Sequence, residues 1–478
     1  MKISISYPPI ESKKGIPTLS QNRQFQWFSS PTYIYPVVPA YAATLLVQNG
    51  NVVFWDDGIA EGMKYGKWLE RIITERPDII AIETKTPVIK RHWEIIRELK
   101  EKLPSSKIVL MGDHVTAMPR ESIDNCPVDY ILTGGDYDFM LLNLANHLSR
   151  DEKLLPGWFS KEGSTGKFEL KYSLDDLPKI DRELTQWKLY SQKNGNFKHT
   201  PGSYIMSSRD CWYGGCSFCS WVSLFPRGCN RTRSAERMLD EIGELIDLGV
   251  KEIFEDSGTL PIGGWLDQFC KGMIERGYNK KVTLSCNMRI NGIKDPEKYS
   301  LMKEAGFRMV LFGLESANQK TLDRLNKGLK VEEIESGLKL CKDAGLEPHI
   351  TVMVGYPWET KGEAQKTMDV ARVLFKKGVA DSLQATILIP YPGTELYSYC
   401  RENDLLLTSD YDKYDQRQSV MKSELTDVDI KKMTRSLYRS FISPEFFVRK
   451  IKGIKSFSDI KHYLKSAGKV IAHLFDFQ

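Results

Sequence analysis

Three cysteines within nine residues, Cys211, Cys216 and Cys219, are the residues of this chain best suited to chemistry. They lie on the loop Cys211-Trp212-Tyr213-Gly214-Gly215-Cys216-Ser217-Phe218-Cys219, with the spacing C-x4-C-x2-C. Thiolates are the usual ligands of iron–sulfur clusters, which normally take four. Three on one loop hold three irons of a four-iron cluster and leave the fourth open to a substrate or cofactor. Zinc is the first alternative, but thiolate zinc sites normally draw a fourth protein ligand, often from a second C-x2-C pair. No second pair occurs here. A disulfide arrangement fits least well. The other cysteines are scattered, and the N-terminus from Met1 to Pro9 reads as a strand entering a turn instead of an export signal.

The rest of the composition narrows the class. A chain of 478 residues is long enough for two or three domains with their own cores. Hydrophobic residues at 41% and charged residues at 27% give an ordinary soluble balance. No apolar run reaches the roughly 18–20 residues of a membrane span. A reducing cytosol is therefore the expected setting, and it suits nine largely unpaired cysteines. Net charge is +5, but Lys431–Gln478 alone carries eleven Lys/Arg against three Asp/Glu. The main body is slightly acidic and offers no nucleic-acid groove. The basic tail, with Phe441, Phe446, Phe447 and Phe457, has two readings: packing on the body, or contact with the inner face of an anionic membrane.

The elements that must position the cysteine loop follow from the apolar pattern. Residues 1–150 alternate strand and helix, with strands over Lys2–Ser6, Val52–Trp55, Asp78–Glu83, Lys107–Met111 and Tyr130–Leu132. Helices fall between them over Val37–Gln48, Lys67–Thr74 and Arg91–Lys102, and after the last strand over Phe139–Leu148. Short apolar strands alternating with helices predict a doubly wound, parallel Rossmann-like sheet, with ligands beyond the strands' carboxyl ends. Residues 151–200 read as a linker broken by glycines and Pro178. Residues 201–400 repeat a strand-first unit six times, which predicts a partial (β/α)6 TIM-like barrel with function at the carboxyl ends of its strands. Residues 401–478 read as a helical C-terminal region. Cys126, Cys229, Cys270, Cys286, Cys341 and Cys400 are expected as small buried residues, with Cys286 also placed at the barrel mouth.

The cysteine loop resembles that of radical S-adenosylmethionine (SAM) enzymes, with Phe218 as the aromatic before the last cysteine. The common family form is C-x3-C-x2-C; the longer first spacing here is similar to that of some cobalamin-linked members. The resemblance implies a [4Fe-4S] cluster on Cys211, Cys216 and Cys219, and SAM on the open iron. By position it also implies SAM contacts from Phe218, Glu255, Asp256, Asn287, Arg289 and Glu315. The first 150 residues resemble the cobalamin-binding domain that precedes many such barrels. This implies cobalamin near Thr84, Gly112, Asp113, His114, Gly134 and Gly135. The cobalamin motif D-x-H-x-x-G is absent, so His114 is expected to bond locally and not to ligate cobalt.

The resemblance implies a radical enzyme that functionalises an unactivated carbon of a small-molecule or lipid-like substrate, with methylation the leading reaction. Electrons would come from a reductant protein such as flavodoxin or ferredoxin. Thr84-Lys85-Thr86-Pro87, the stretch Gly112–Ala117 and the stretch Thr133–Phe139 look like the radical SAM proteins of hopanoid lipid clusters. Radical C–C bond formation, cyclisation or rearrangement is the alternative reaction. A non-catalytic iron–sulfur or zinc nucleotide-binding protein is the alternative class. A methylthio-transferring enzyme fits poorly, because only Cys126 lies upstream of the loop.

Overall fold

Strand β1 (Lys2–Tyr7) is flanked by residues brought from far along the chain. The computed structural model describes residues 1–19, 24–194, 196–228 and 230–438. After a short antiparallel ribbon, β2 (Ile16–Pro17) with β3 (Trp27–Phe28), the chain forms β4 (Val52–Asp57), β5 (Ile79–Glu83), β6 (Lys107–Met111) and β7 (Tyr130–Leu132). These pair in parallel in the order β4-β1-β5-β6-β7. All five residues of β5 are buried, as expected for a strand covered on both faces. The order reverses between β1 and β5, and such a switch point opens a crevice at the carboxyl ends.

The helix Val37–Gln48 shows why the sheet is doubly covered. Apolar on nearly every side, it buries Val37, Val38, Ala40, Ala42, Ala43 and Leu46, and a helix apolar all round must lie inside. Its small alanines let it pack against the helix Tyr137–Arg150. The region read as a linker adds two antiparallel strands to the sheet edge, β8 (Trp158–Ser160) and β9 (Gly163–Ser164).

The second sheet contains β10 (Gly202–Ile205), β11 (Glu252–Glu255), β12 (Thr283–Met288), β13 (Phe307–Glu315), β14 (Glu347–Val354) and β15 (Ser382–Ile387). They pair in parallel in strict chain order, which is an open six-stranded barrel. Helices such as Ala235–Asp247 and Lys361–Lys376 cover it outside; the second starts on a capping box of Thr360 and Glu363. The helix Asp427–Tyr438 buries Ile430, Met433 and Leu437, and Tyr438 meets the backbone of Ala385 on β15. The basic tail beyond it, and Cys229, lie outside the described residues. No helix among the described residues is long and apolar enough to cross a membrane.

The carboxyl edge of the first sheet faces the cysteine loop. The helical turn Asp113–Ala117 contacts the turn Trp221–Leu224, which follows Cys219 directly. An ion-pair network ties the same two regions. Arg209 bonds Asp136, which caps the helix Tyr137–Arg150, and Asp138 in that helix's first turn, while Arg231 bonds Asp136 and Asp210.

Candidate active site

Strand β10 and the run Met206–Asp210 deliver the cysteine loop to the barrel mouth, where all three thiols are free and half-buried. The loop is anchored at both ends. Trp221 Nε1 donates to the Arg209 carbonyl (2.6 Å), and Trp212 Nε1 donates to the Leu260 carbonyl (3.1 Å). Ser217 N donates to the Leu325 carbonyl (3.0 Å), and Asn326 Nδ2 to that of Gly215 (2.7 Å). The residues between the first two cysteines are used: Tyr213 reaches Asn326, and Gly214 turns with φ +57°. Phe218 is buried and shares an apolar cluster with Leu325, Met353, Tyr356 and Leu388.

The donor set fits a cluster. Burial pushes the Cys219 thiol up to about 12, and the neighbouring Cys216 and Cys211 add to it. Burial also raises Cys216, against the pull of Lys327 and Arg289. Thiols that hinder one another's ionisation become thiolates when a cationic metal centre arrives. Among the described residues, no group of three or more His, Cys, Asp and Glu side chains, the three cysteines included, is already gathered around a metal position.

Four strand ends surround the loop. Glu255 closes β11 and accepts from Ser207 N (2.8 Å), Ser207 Oγ (2.6 Å) and Ser257 Oγ; its Oε2 is buried without a partner. Asn287 on β12 donates to Asp256 Oδ1 (3.2 Å) and to the Ser257 carbonyl (3.0 Å). Arg289 lies over the Tyr213 ring, 3.5 Å from its centre, and donates to the Lys327 carbonyl. Glu315 ends β13 in a left-handed turn (φ +65°), with Oε1 on Lys327 Nζ (2.8 Å) and Oε2 buried without a partner. Tyr356, just beyond β14, is wholly buried, and its hydroxyl is unpartnered. Buried polar atoms are nearly always hydrogen-bonded. Two carboxylate oxygens and a hydroxyl without partners around one mouth therefore suit a ligand rich in donors, such as one with an ammonium and ribose hydroxyls. Sequence reasoning missed Lys327 and the bare Tyr356 hydroxyl. Lys327 follows the short helix Gln319–Arg324 and not a strand, so no strand-end pattern pointed to it.

The residues expected near cobalamin are largely engaged with their protein neighbours. Thr84 Oγ1 pairs with His92 Nδ1 (2.7 Å). Gly112 (φ +136°) is obligatory: a Cβ there would stand 2.1 Å from the Thr84 carbonyl oxygen. Asp113 pairs with Lys85 (3.2 Å). Both His114 nitrogens are engaged, Nδ1 with Thr86 (3.2 Å) and Nε2 with Glu121 (2.9 Å). Gly134 and Gly135 make room for the rings of Phe168 and Phe225, so they serve protein packing. At the switch point, Tyr7 donates to Glu83 (2.5 Å), while Glu83 Oε1 and the Tyr137 hydroxyl lie buried without partners. Burial lifts the Glu83 carboxyl to about 8. Beside them a cleft with about 330 Å³ of empty space is lined by Tyr7, Thr18, Tyr33, Asp57, Ile59 and Tyr190. On the β1–β5 side, Glu83 and Tyr137 thus carry buried polar atoms without partners, and so does Thr18 in the cleft.

Cys286 is wholly buried, as expected, and lies within β12, two residues before its end at Met288. Cys126, Cys270, Cys341 and Cys400 are buried as expected.

Comparison with known proteins agrees with this geometry. The model of the radical SAM superfamily matches residues 205–371. An uncharacterized methyltransferase of Pyrococcus horikoshii is 29% identical over 464 residues, 94% of this chain and 95% of the relative. The anaerobic magnesium-protoporphyrin IX monomethyl ester cyclase of Cereibacter sphaeroides is 26% identical over 423 residues, 85% of this chain and 66% of the relative. The fold is shared with the radical SAM methyltransferase TsrM of Kitasatospora setae (TM-score 0.64, 18% identity, 84% of this chain and 78% of that one). It is also shared with OxsB, a cobalamin-dependent SAM radical enzyme (TM-score 0.71, 15% identity, 99% of this chain and 71% of that one). The barrel thus matches the radical SAM superfamily over residues 205–371, and the fold as a whole, first sheet included, is shared with these two structures.

Proposed function

We propose that this enzyme uses a [4Fe-4S] cluster, SAM and cobalamin to methylate an unactivated carbon of a small-molecule or lipid-like substrate. The observation that carries the reading is the meeting of two carboxyl edges. The buried, unpartnered acceptors of the barrel mouth lie on one side of the cysteine loop, and those of the first sheet's switch point lie across the contact between the turns Asp113–Ala117 and Trp221–Leu224. The Pyrococcus relative, a methyltransferase by name, and TsrM support methyl transfer. When bound, the cofactors supply a carbon-centred radical and a methyl group.

The chain's own residues bind and orient. Cys211, Cys216 and Cys219 hold three irons. The free oxygens of Glu255 and Glu315 accept from the ammonium and hydroxyls of SAM, and Asp256 and Asn287 steady Glu255's neighbourhood. Arg289, stacked on Tyr213, stiffens the loop between the first two cysteines. Glu83 and Tyr137 offer polar contacts to cobalamin, while Thr84, Gly112 and Asp113 shape the crevice floor. No general acid or base is required. The electron donor is a small reductant protein of the flavodoxin or ferredoxin kind. The cyclase of Cereibacter sphaeroides favours a second reading, radical ring closure with the same cofactors. Lipid-like substrates and contact with the membrane rest on the sequence resemblance and the basic tail alone.

The test is anaerobic reconstitution with iron, sulfide and hydroxocobalamin, followed by SAM and mass spectrometry of the products. The intact protein should retain cobalamin and form 5′-deoxyadenosine, and the Cys211/Cys216/Cys219→Ala variant should form no 5′-deoxyadenosine. S-adenosylhomocysteine among the products supports methyl transfer; its absence alongside 5′-deoxyadenosine favours the ring-closure reading. Four bound irons with no SAM cleavage and no cobalamin would sink both.

A further inference from the structure

Five arginines are buried among the described residues: Arg182, Arg209, Arg233, Arg289 and Arg308. Four of them meet a carboxylate. Arg182 and Arg233 share Glu241, Arg209 bonds Asp138, and Arg308 bonds Glu252. Arg289 is the exception. It is 7% exposed, one residue beyond the end of β12, and its partners are a ring and two carbonyls. The guanidinium lies 3.5 Å from the centre of the Tyr213 ring, and Nη2 donates to the carbonyls of Lys327 and Gly328. Among the described residues, Nε and Nη1 make no hydrogen bond and no carboxylate pairs with this guanidinium. Buried charges are ordinarily paired. A buried arginine at the barrel mouth with donors left over therefore calls for an anion that comes from outside the chain.

The residues between the first two cysteines build its seat. The Tyr213 hydroxyl donates to the Asn326 carbonyl, and Trp212 Nε1 to that of Leu260, so both rings are pinned to neighbouring backbone. The Trp212 ring flanks the same guanidinium, 6.0 Å from its centre. Space for the tyrosine is reserved: a Cβ on Gly328 would stand 2.7 Å from its hydroxyl oxygen. A planar guanidinium stacks on such a ring face, and the attraction grows when water is excluded.

We propose that Tyr213 is a positioning residue for SAM: its ring holds the Arg289 guanidinium at the barrel mouth, so that the donors left free, Nε and Nη1, take the carboxylate of SAM. The inference rests on the radical SAM reading given above. It gives the longer first spacing of the cysteine loop a task, since the segment between Cys211 and Cys216 supplies the ring. A paired, planar contact of this kind is the one that guanidinium and carboxylate make best.

The test uses the full-length reconstituted protein, its four irons counted, oxidised and without substrate, so that SAM binds without being cleaved. Dissociation constants are measured by anaerobic equilibrium dialysis for SAM and for decarboxylated SAM, which lacks the carboxylate. Tyr213→Leu should weaken SAM by about tenfold and leave decarboxylated SAM unchanged. Tyr213→Phe keeps the ring and should bind SAM as the parent does. In an Arg289→Gln background, Tyr213→Leu should cost nothing further, because the two residues act as one unit. If Tyr213→Leu does not hold four irons, Arg289→Lys decides. Lysine keeps the charge but has no plane to lay on the ring, so SAM should again weaken and its decarboxylated analogue should not. Equal weakening of both ligands would mark Tyr213 as merely structural and overturn the proposal. So would an unchanged SAM constant in four-iron Tyr213→Leu, or an Arg289→Lys protein that binds SAM as tightly as the parent. A four-iron parent that binds neither ligand would instead count against the radical SAM reading itself.

Discussion

Replacing Arg209 by Gln should be among the most damaging single changes outside the cysteines. Arg209 is 2% exposed, its partner Asp138 is fully buried, and Asp136 lies 3.0 Å from the same guanidinium. Burial pushes the Asp138 carboxyl up, and the Arg209 charge pulls it back. With the arginine gone, a carboxylate is stranded where water cannot reach it. Removing one partner of such a pair costs about 3–5 kcal/mol. Lys377 and Glu335 provide the internal control: 2.8 Å apart, but each about half exposed. Lys377→Gln should cost no more than about 1 kcal/mol. The assay is urea unfolding of the iron-free protein, with Arg209→Gln/Asp138→Asn completing a double-mutant cycle. The double variant should recover much of the loss, because two neutral amides leave no charge uncompensated. Asp210, next to Cys211, shares Arg231 with Asp136, so iron uptake by the single variant should fall as well. An Arg209→Gln protein within about 1 kcal/mol of the parent, like the surface control, would refute the reasoning, since the network would then be screened by solvent.

Other consequences are simpler to measure. Gly112→Ala should destabilise by at least about 2 kcal/mol, because it combines a left-handed φ with a Cβ driven into the Thr84 carbonyl; a melting temperature equal to the parent's would contradict the placement of that loop. Glu83, lifted to about 8 by burial, keeps its proton in the folded state long after the unfolded chain has lost its own. Its contribution is therefore present in acid and lost as pH rises toward 8, by up to about 1.4 kcal/mol per pH step. Asp57, lifted to about 6, acts in the same direction over a lower range. The melting temperature of the iron-free parent should fall between pH 6 and 8.5, and Glu83→Gln should flatten that fall. His92 runs the opposite way: burial holds its imidazole down to about 3. Acidification below about 6.5 should then cost stability, and His92→Gln should reduce that loss in the same melts.

Much of the fold was legible because its signals are local. The helix Val37–Gln48 runs from Pro36 to Asn49-Gly50, and β7 is a three-residue apolar run before Gly134-Gly135; both were read to the residue. The barrel strands were legible as apolar runs ending in polar residues. The hairpin β8–β9 was not. It is short and glycine-bearing, and it pairs only with the edge of β7, so its register comes from its neighbours and not from its own pattern. The end of β13 is not marked by an apolar pattern, because its last residue, Glu315, leaves the regular conformation, and propensity rules have no way to mark a strained carboxylate.

The site divides along the same line. The cysteines could be found because one loop holds all three, and their spacing is itself the message. The residues that condition them come from elsewhere: Lys327 is more than a hundred positions downstream, and Asp138 is 71 positions before Arg209. The turn after β7 is expected near cobalamin through Gly134 and Gly135, yet Asp136 and Asp138 just beyond it clasp the arginines that flank the cysteine loop. The two edges of the site are therefore not independent. A change in the first sheet's loop reaches Cys211 through Arg209 and Asp210 without touching either cofactor. Because the clasp is buried and fully charged, it acts as a fixed strut. That is the arrangement a radical enzyme needs if two large cofactors are to meet one substrate carbon in a fixed geometry.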